Sequence, residues 1–134
     1  MAFYKIHERA INGEDFKQSF IEINNKCGDI GIENPIFIMD NARIHHYRGL
    51  NNDESISSFR IVYLPPYSQF LNPIENVFSV WKNSVIREAV VTEEQLRRTI
   101  SRKFEGISAI SCSSFYRKML GYLNRCIGRE EILE

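Results

Sequence analysis

Two acids stand out in this sequence by where they sit. Asp40 closes the apolar run Pro35-Ile36-Phe37-Ile38-Met39, and Glu75 follows Asn72-Pro73-Ile74 at the head of a second apolar-patterned stretch. Thirty-four residues, 41 through 74, separate them. On local sequence alone, a carboxylate at a strand end is solvated, caps the turn that follows, or holds a ligand or cation. Glu75 in Asn72-x-x-Glu75 has the alternative of reaching back to a backbone N–H as a capping residue. His45 and His46 follow the first acid closely enough to suggest metal or acid–base chemistry. No Cys or His partner stands at zinc spacing, however, so structural or solvent-facing roles come first for them.

The elements that must position these groups are legible. Residues 35–39 run without polar alternation, which predicts a strand covered on both faces, as in a parallel sheet under helices. In open α/β sheets ligands bind beyond the carboxyl ends of the strands, where the departing loops leave a crevice, and Asp40 occupies such an end. Phe59 to Leu64 is β-rich and stops at Pro65-Pro66, which predicts a second strand. A crossover containing a short helix over Asn51 to Ser58 makes the pair a right-handed parallel unit, with Asp40 and Leu64 at the same edge. The loop Pro65 to Leu71 should then rise over Asp40 and deliver Asn72 as N-cap, with Pro73 at the first helical position. Glu75 becomes the third residue of a helix whose buried stripe is Ile74, Val77, Phe78, Trp81 and Val85.

The remaining elements follow from the same signals. Ala2 to His7 reads as a short strand. Asn12, with Asp15 three positions on, opens a helix that packs Phe16, Phe20 and Ile23 and closes at Cys27-Gly28. Thr92 with Gln95 forms a capping box ahead of Leu96, Ile100 and Phe104. A last helix, from about Ser113, packs Phe115, Met119, Tyr122, Leu123 and Cys126. There are no repeats, low-complexity tracts or heptads.

Composition bounds the function. At 134 residues, 43% hydrophobic and 25% charged, the chain can bury one ordinary core, and one domain is expected. It has no run of 18 apolar residues and no charged-then-apolar leader, which predicts a protein of the nucleus in a eukaryote or of the cytoplasm otherwise, with no membrane partner. Cys27, Cys112 and Cys126 are too few and too scattered for a disulfide framework or zinc knuckle. Formal charge is zero, but it is unevenly spread. Residues 76–129 carry ten Lys or Arg against four acids, whereas residues 1–75 carry seven bases and ten acids. A basic half beside a half containing the candidate acids suits a metal-dependent enzyme acting on a polyanion. Lys82, Arg97, Arg98, Arg102 and Lys103 are the candidate nucleic-acid contacts; solvated helix faces are the plainer alternative.

Taken jointly, Asp40-Asn41-Ala42-x-x-His45, Leu64-Pro65-Pro66-Tyr67-Ser68, Leu71-Asn72-Pro73-Ile74-Glu75-Asn76 and Trp81-Lys82 closely resemble the catalytic-core signature of the mariner-superfamily transposases and their bacterial insertion-sequence relatives. The 34-residue interval is one this superfamily uses between its second and third catalytic acids. The resemblance is strongest over residues 35–82, and Asn12-Gly13-Glu14-x-Phe16 resembles the helix that precedes the second acid.

The resemblance implies a DDE endonuclease domain of α/β, ribonuclease-H-like fold, in which three carboxylates hold two Mg²⁺ or Mn²⁺ ions for DNA strand cleavage and transfer. Asp40 would be the second acid and Glu75 the third, both metal ligands. Asn41 and His45 would lie beside the metals or the scissile phosphate, and Asn72, at the end of the 65–72 loop, would help to place Glu75. Mg²⁺ takes hard oxygen ligands and keeps waters and substrate phosphates, so few protein carboxylates are needed. Two features depart from the family. Gln69 stands where the family commonly has proline. The first catalytic Asp, carried in the family on an earlier central strand, has no counterpart among Glu8, Glu14, Asp15, Glu22, Asp29 and Glu33, all of which fall in predicted helix or loop. The expectation is therefore a partial catalytic domain over residues 1–134, C-terminal in the family's order. It would have a small, incomplete parallel sheet lacking the N-terminal central strands, and C-terminal helices over 92–128. Its partner would be DNA, with no cleavage by the chain alone, and the open sheet edge would bring self-association or partial disorder of Ala2 to His7 unless that segment folds back onto it. The alternative is a non-catalytic module that binds DNA or a partner.

Overall fold

A computed structural model describes residues 3–51 and 53–132. They divide into two units, one ending at Tyr67 and the other beginning at Ser68.

The first unit is a two-stranded parallel sheet with helices. Helix α1, Gly13–Asp29, opens on the expected N-cap, which the structure completes as a capping box: the Asn12 side chain accepts from the Asp15 N–H (2.9 Å) and the Asp15 carboxylate accepts from the Asn12 N–H (3.1 Å). It runs past Gly28. The residue that turns the chain is Gly31, at φ 77°, where the left-handed backbone lets the Gly31 and Ile32 N–H groups satisfy the carbonyls of Gly28 and Cys27. Strand β1, Ile36–Met39, pairs with β2, Arg60–Tyr63, in the register Ile36↔Arg60 through Met39↔Tyr63. The Leu64 N–H then donates to the Met39 carbonyl at 2.8 Å, so Asp40 and Leu64 leave the sheet at the same edge, as expected. The crossover is a 3-10 turn, Arg43–His46, followed by two single-turn helices, α2 Arg48–Asn51 and α3 Glu54–Ser57, in place of one helix over 51–58.

Within this unit, the described residues cover one face of the sheet. Phe20, Leu50 and Ile56 are buried, and Phe37, Met39 and Ile61 pack against them from the strands. Phe20 meets Phe37 edge-on at 4.5 Å and Phe59 at 5.3 Å. Ile36, Ile38 and Val62, on the opposite face, are about half exposed. The two-faced strand read from the apolar run is thereby corrected: an unbroken apolar run says that both faces tolerate burial, while burial itself requires a layer on each face. Phe3 to His7 forms no strand, and Ala2 lies outside the described residues. Lys5 instead pairs with Glu22 on α1 at 3.0 Å.

The second unit is helical. A 3-10 turn, Gln69–Leu71, leads into α4, Pro73–Ile86, with Pro at the helix start as read. Helix α5, Glu93–Glu105, opens with the Thr92–Gln95 capping box. Helix α6, Ala109–Ile127, begins earlier than expected, because the Ser108 hydroxyl accepts from the Ser111 N–H at 3.1 Å and caps it there. Four serines within seven residues offer equivalent caps in sequence, and packing selects the first. Helix α4 lies against both α5 and α6. The Trp81 indole N–H donates to the Ile100 carbonyl (2.9 Å), and its ring sits 5.0 Å from Phe104. Of the stripe expected to be buried, only Val77 is; Trp81 and Val85 are half-buried, while Ile74 and Phe78 are exposed. Leu96 and Leu123 are also exposed, whereas Phe104 is buried and Ile100, Phe115, Met119, Tyr122 and Cys126 are half-buried.

Candidate active site

The first unit brings Asp40, Asn41 and His45 together at the end of β1. The turn after the strand forms because Asp40 Oδ1 accepts the Ala42 N–H at 3.1 Å. This is the local turn-capping role available to any Asp, and it engages only one oxygen. The 3-10 turn then carries His45 back, so that its Nδ1 lies 2.7 Å from Asp40 Oδ1 and 3.1 Å from the Asp40 carbonyl oxygen. Both neighbours are acceptors, so Nδ1 carries the proton. The imidazole rests on Phe16 of α1, centroids 4.8 Å apart, and the Tyr63 hydroxyl donates to the His45 carbonyl at 2.8 Å. Burial raises the Tyr63 phenol above its ordinary value, which keeps it a donor there. Asn41 turns elsewhere: its Oδ1 meets His46 Nε2, and the His46 ring stacks on Tyr63 at 4.3 Å. His45 therefore has a positioning role toward Asp40, while His46 braces Asn41. Phe16 and Tyr63 are supports that the linear reading left out. Both were visible as apolar positions, but nothing in sequence placed a ring beneath His45 or a hydroxyl on its carbonyl. Among the described residues, Asp40 Oδ2 has no hydrogen-bond partner, and the side chain is 36% exposed.

The second unit carries Asn72, Glu75 and Lys82. Asn72 stands at the N-cap of α4, but its side chain makes no capping bond, and its own N–H donates to the Gln69 carbonyl at 2.8 Å. The capping reading of Glu75 is therefore not realised, in contrast to Asp15 and Gln95 at the same helical position. Among the described residues the half-buried Glu75 carboxylate has no hydrogen-bond or ion-pair partner. It lines a groove of about 720 Å³ with Phe78, Trp81, Lys82 and Ile100 on one side. On the other it lines a smaller pocket with Asn76, Ser79, Lys118 and Tyr122. A half-buried, unpaired carboxylate is a group kept for a ligand or left at a cost.

The proline-containing loop is shared out: Pro65, Pro66 and Tyr67 end the first unit and Ser68 to Leu71 begin the second. The two acids thus belong to different units. Among the described residues no three His, Cys, Asp or Glu side chains gather to hold a metal ion. Asp40 and Glu75 offer hard oxygens of the right kind, yet one carboxylate in each unit does not make up a two-ion site, and no ion-dependent step is derived from them.

The four candidate cations of α5 are engaged internally. Arg97 pairs with Glu93 at 3.0 Å and Arg98 with Glu94, one turn apart on the helix. Arg102 and Lys103 both reach Glu88, at 3.2 and 2.5 Å. Lys103 first and Arg102 next hold the Glu88 carboxyl below the ordinary value.

Over residues 1–97 the chain matches the family of DDE superfamily endonucleases, and no curated protein or solved structure matches it. Since the match covers most of the sequence, including both acids, the chain belongs to the DDE superfamily endonucleases, a transposase-type nuclease family that acts on DNA and generally uses divalent metal ions. No described helix is long and apolar enough to cross a membrane.

Proposed function

We propose that these residues are the part of a mariner-type transposase catalytic domain that carries its second and third acids, Asp40 and Glu75, in a ribonuclease-H-like frame. Their task would be to ligate Mg²⁺ or Mn²⁺ for cleavage and transfer of DNA strands. The observation that carries the reading is the state of the two carboxylates: one, at the end of a parallel strand, keeps an open Oδ2, and the other, at a helix start, has its capping bond unmade. His45 holds Asp40 in place through Oδ1. Within the first unit, the half-exposed Ile36, Ile38 and Val62 and a sheet of two strands among the described residues support a larger frame, and support self-association. So do Asp15 and Glu22, acids of α1 that are bound by Asn12 with Arg9 and by Lys5, and are not first-acid candidates.

The test is a Mn²⁺ titration followed by NMR. Residues flanking Asp40 and Glu75 should broaden first, and Asp40→Asn and Glu75→Gln should each abolish the effect at their own position. Broadening that ignores both substitutions would sink the assignment. A second reading, a non-catalytic DNA- or partner-binding module, is favoured by the bond of Asp40 Oδ1 to the Ala42 N–H, a turn-capping role that needs no metal. It is selected if Mn²⁺ leaves both positions sharp.

A further inference from the structure

The ion pairing on the helical unit divides its cations into two sets. Arg125, with Glu130, and the four cations of α5 each have a carboxylate of the same unit within about 3 Å, so a phosphate approaching Arg97, Arg98, Arg102 or Lys103 meets Glu93, Glu94 or Glu88 as well. The Arg97 and Arg98 pairs are neutral, and Arg102 with Lys103 shares one carboxylate for a net charge of +1, so the four cations together present a much smaller positive field, and release fewer counterions when DNA arrives, than four unpaired ones would. Five other cations of the unit, Lys82, Arg87, Arg117, Lys118 and Arg129, have no carboxylate partner among the described residues. Two of these line the spaces on either side of Glu75: Lys82 in the larger groove, and Lys118, from α6, in the pocket of about 190 Å³ on the other side.

Lys118 is the more informative. It lies beyond residues 1–97, so the family match assigns it nothing. Its Nζ sits 6.0 Å from the centroid of Tyr122, whose ring packs against Phe70 at 5.4 Å. A cation at that distance from a ring is oriented but weakly held, and its three N–H donors stay available. Asn76 and Ser79 line the same pocket and bring an amide and a hydroxyl with no partner among the described residues. An ammonium with neutral donors beside it suits a phosphate oxygen, and the charge of Lys118 offsets the repulsion that Glu75 would exert on a phosphodiester. We infer that Lys118, together with Lys82, holds the DNA phosphate backbone on the two flanks of Glu75, and that the arginines of α5 do not. This rests on the chain acting on DNA, and not on either acid binding metal.

The test is fluorescence anisotropy of a labelled duplex with the full chain over a range of NaCl concentrations. Each lost phosphate contact should reduce the slope of log K against log[salt] by about 0.9. Lys118→Gln is expected to lower it by about that much, Lys82→Gln/Lys118→Gln by about twice as much, and Lys118→Arg to restore it. Arg98→Gln, at an exposed site, should leave the slope at its wild-type value, as should Arg97→Gln/Arg98→Gln, which removes only cations that are paired one to one. A wild-type slope in Lys118→Gln, a reduced slope in Arg98→Gln, or no duplex binding by the wild type each overturns the inference. The Mn²⁺ titration is independent of these outcomes: broadening without a slope change defeats the lysines alone, and a slope change without broadening defeats the metal-ligand reading alone.

Discussion

At the scale of single residues, the Asp40 carboxylate is divided between structure and function. Oδ1 is committed to the Ala42 amide and to His45, while Oδ2 has no hydrogen-bond partner among the described residues. Glu75 has no comparable anchor, so its position depends on how firmly α4 is held. That helix is followed by a strained residue: Ala89, exposed, has φ 47°. A side chain with a Cβ pays about 1 kcal/mol or more in the left-handed region, and glycine does not. Ala89→Gly should therefore raise the stability of the helical unit by up to about 1 kcal/mol, read as a higher urea midpoint of Trp81 fluorescence. A lower midpoint would show that the helix ends otherwise.

At the scale of elements, the turn after Asp40 is clamped to α1 by one ring. Tyr47 lies flat between Gly13, the first residue of α1, and Gly49 in α2, so close to both that a Cβ at either position would collide with it. Its hydroxyl donates to Glu14, and that bond raises the phenol above its ordinary value. The glycines are thus needed for close approach, whatever their helix propensity. Gly49→Ala should destabilise the chain by about 1 to 3 kcal/mol, the usual cost of forcing atoms into an occupied space. Tyr47→Ala should cost less in that background than in wild type, because the collision is already relieved. Thermal melts of the four proteins check this, and additive costs would place the ring elsewhere.

At the scale of the molecule, stability should be lost in acid in both units, each for its own reason. Asp15 is held below its ordinary 3.8 by the Asn12 amide first and Arg9 next, and Glu22 below 4.5 by its hydrogen bonds to Lys5 and Gln18. In the helical unit Glu88 is held below 4.5 by Lys103 and Arg102. A carboxyl whose folded value is lowered contributes stability that is complete above its ordinary value and is lost as pH falls through the folded one. Unfolding should therefore become easier progressively below about pH 4.5. In Glu88→Gln the acid dependence seen by Trp81 should flatten while that of the first unit persists. An unchanged acid limb at Trp81 would mean that Glu88 is not paired in solution.

Much of this was legible in the sequence because it is local. Asn12 with Asp15 and Thr92 with Gln95 bond within four residues of chain, so their capping boxes were written in residue order, as were Pro73 at the start of α4 and the β-branched strands ending at Asp40 and Leu64. The one-turn pairs Glu93–Arg97 and Glu94–Arg98 are equally local, although a count of charges over residues 76–129 does not show them. Tertiary structure alone decided the rest. Asn72-Pro73-Ile74-Glu75 reads as a capping pattern, yet the Asn72 N–H is taken by Gln69 and Glu75 stays unpaired. Ile36 and Ile38 are as apolar as Phe37 and Met39 but are about half exposed, since burial depends on which layer another part of the chain supplies. Glu88 gathers Arg102 and Lys103 from across the turn between α4 and α5, and Lys118 comes to Glu75 from a helix 43 positions further along the chain. Charges and faces that meet through space leave no periodic trace in sequence, whereas hydrogen bonds to the nearest backbone do.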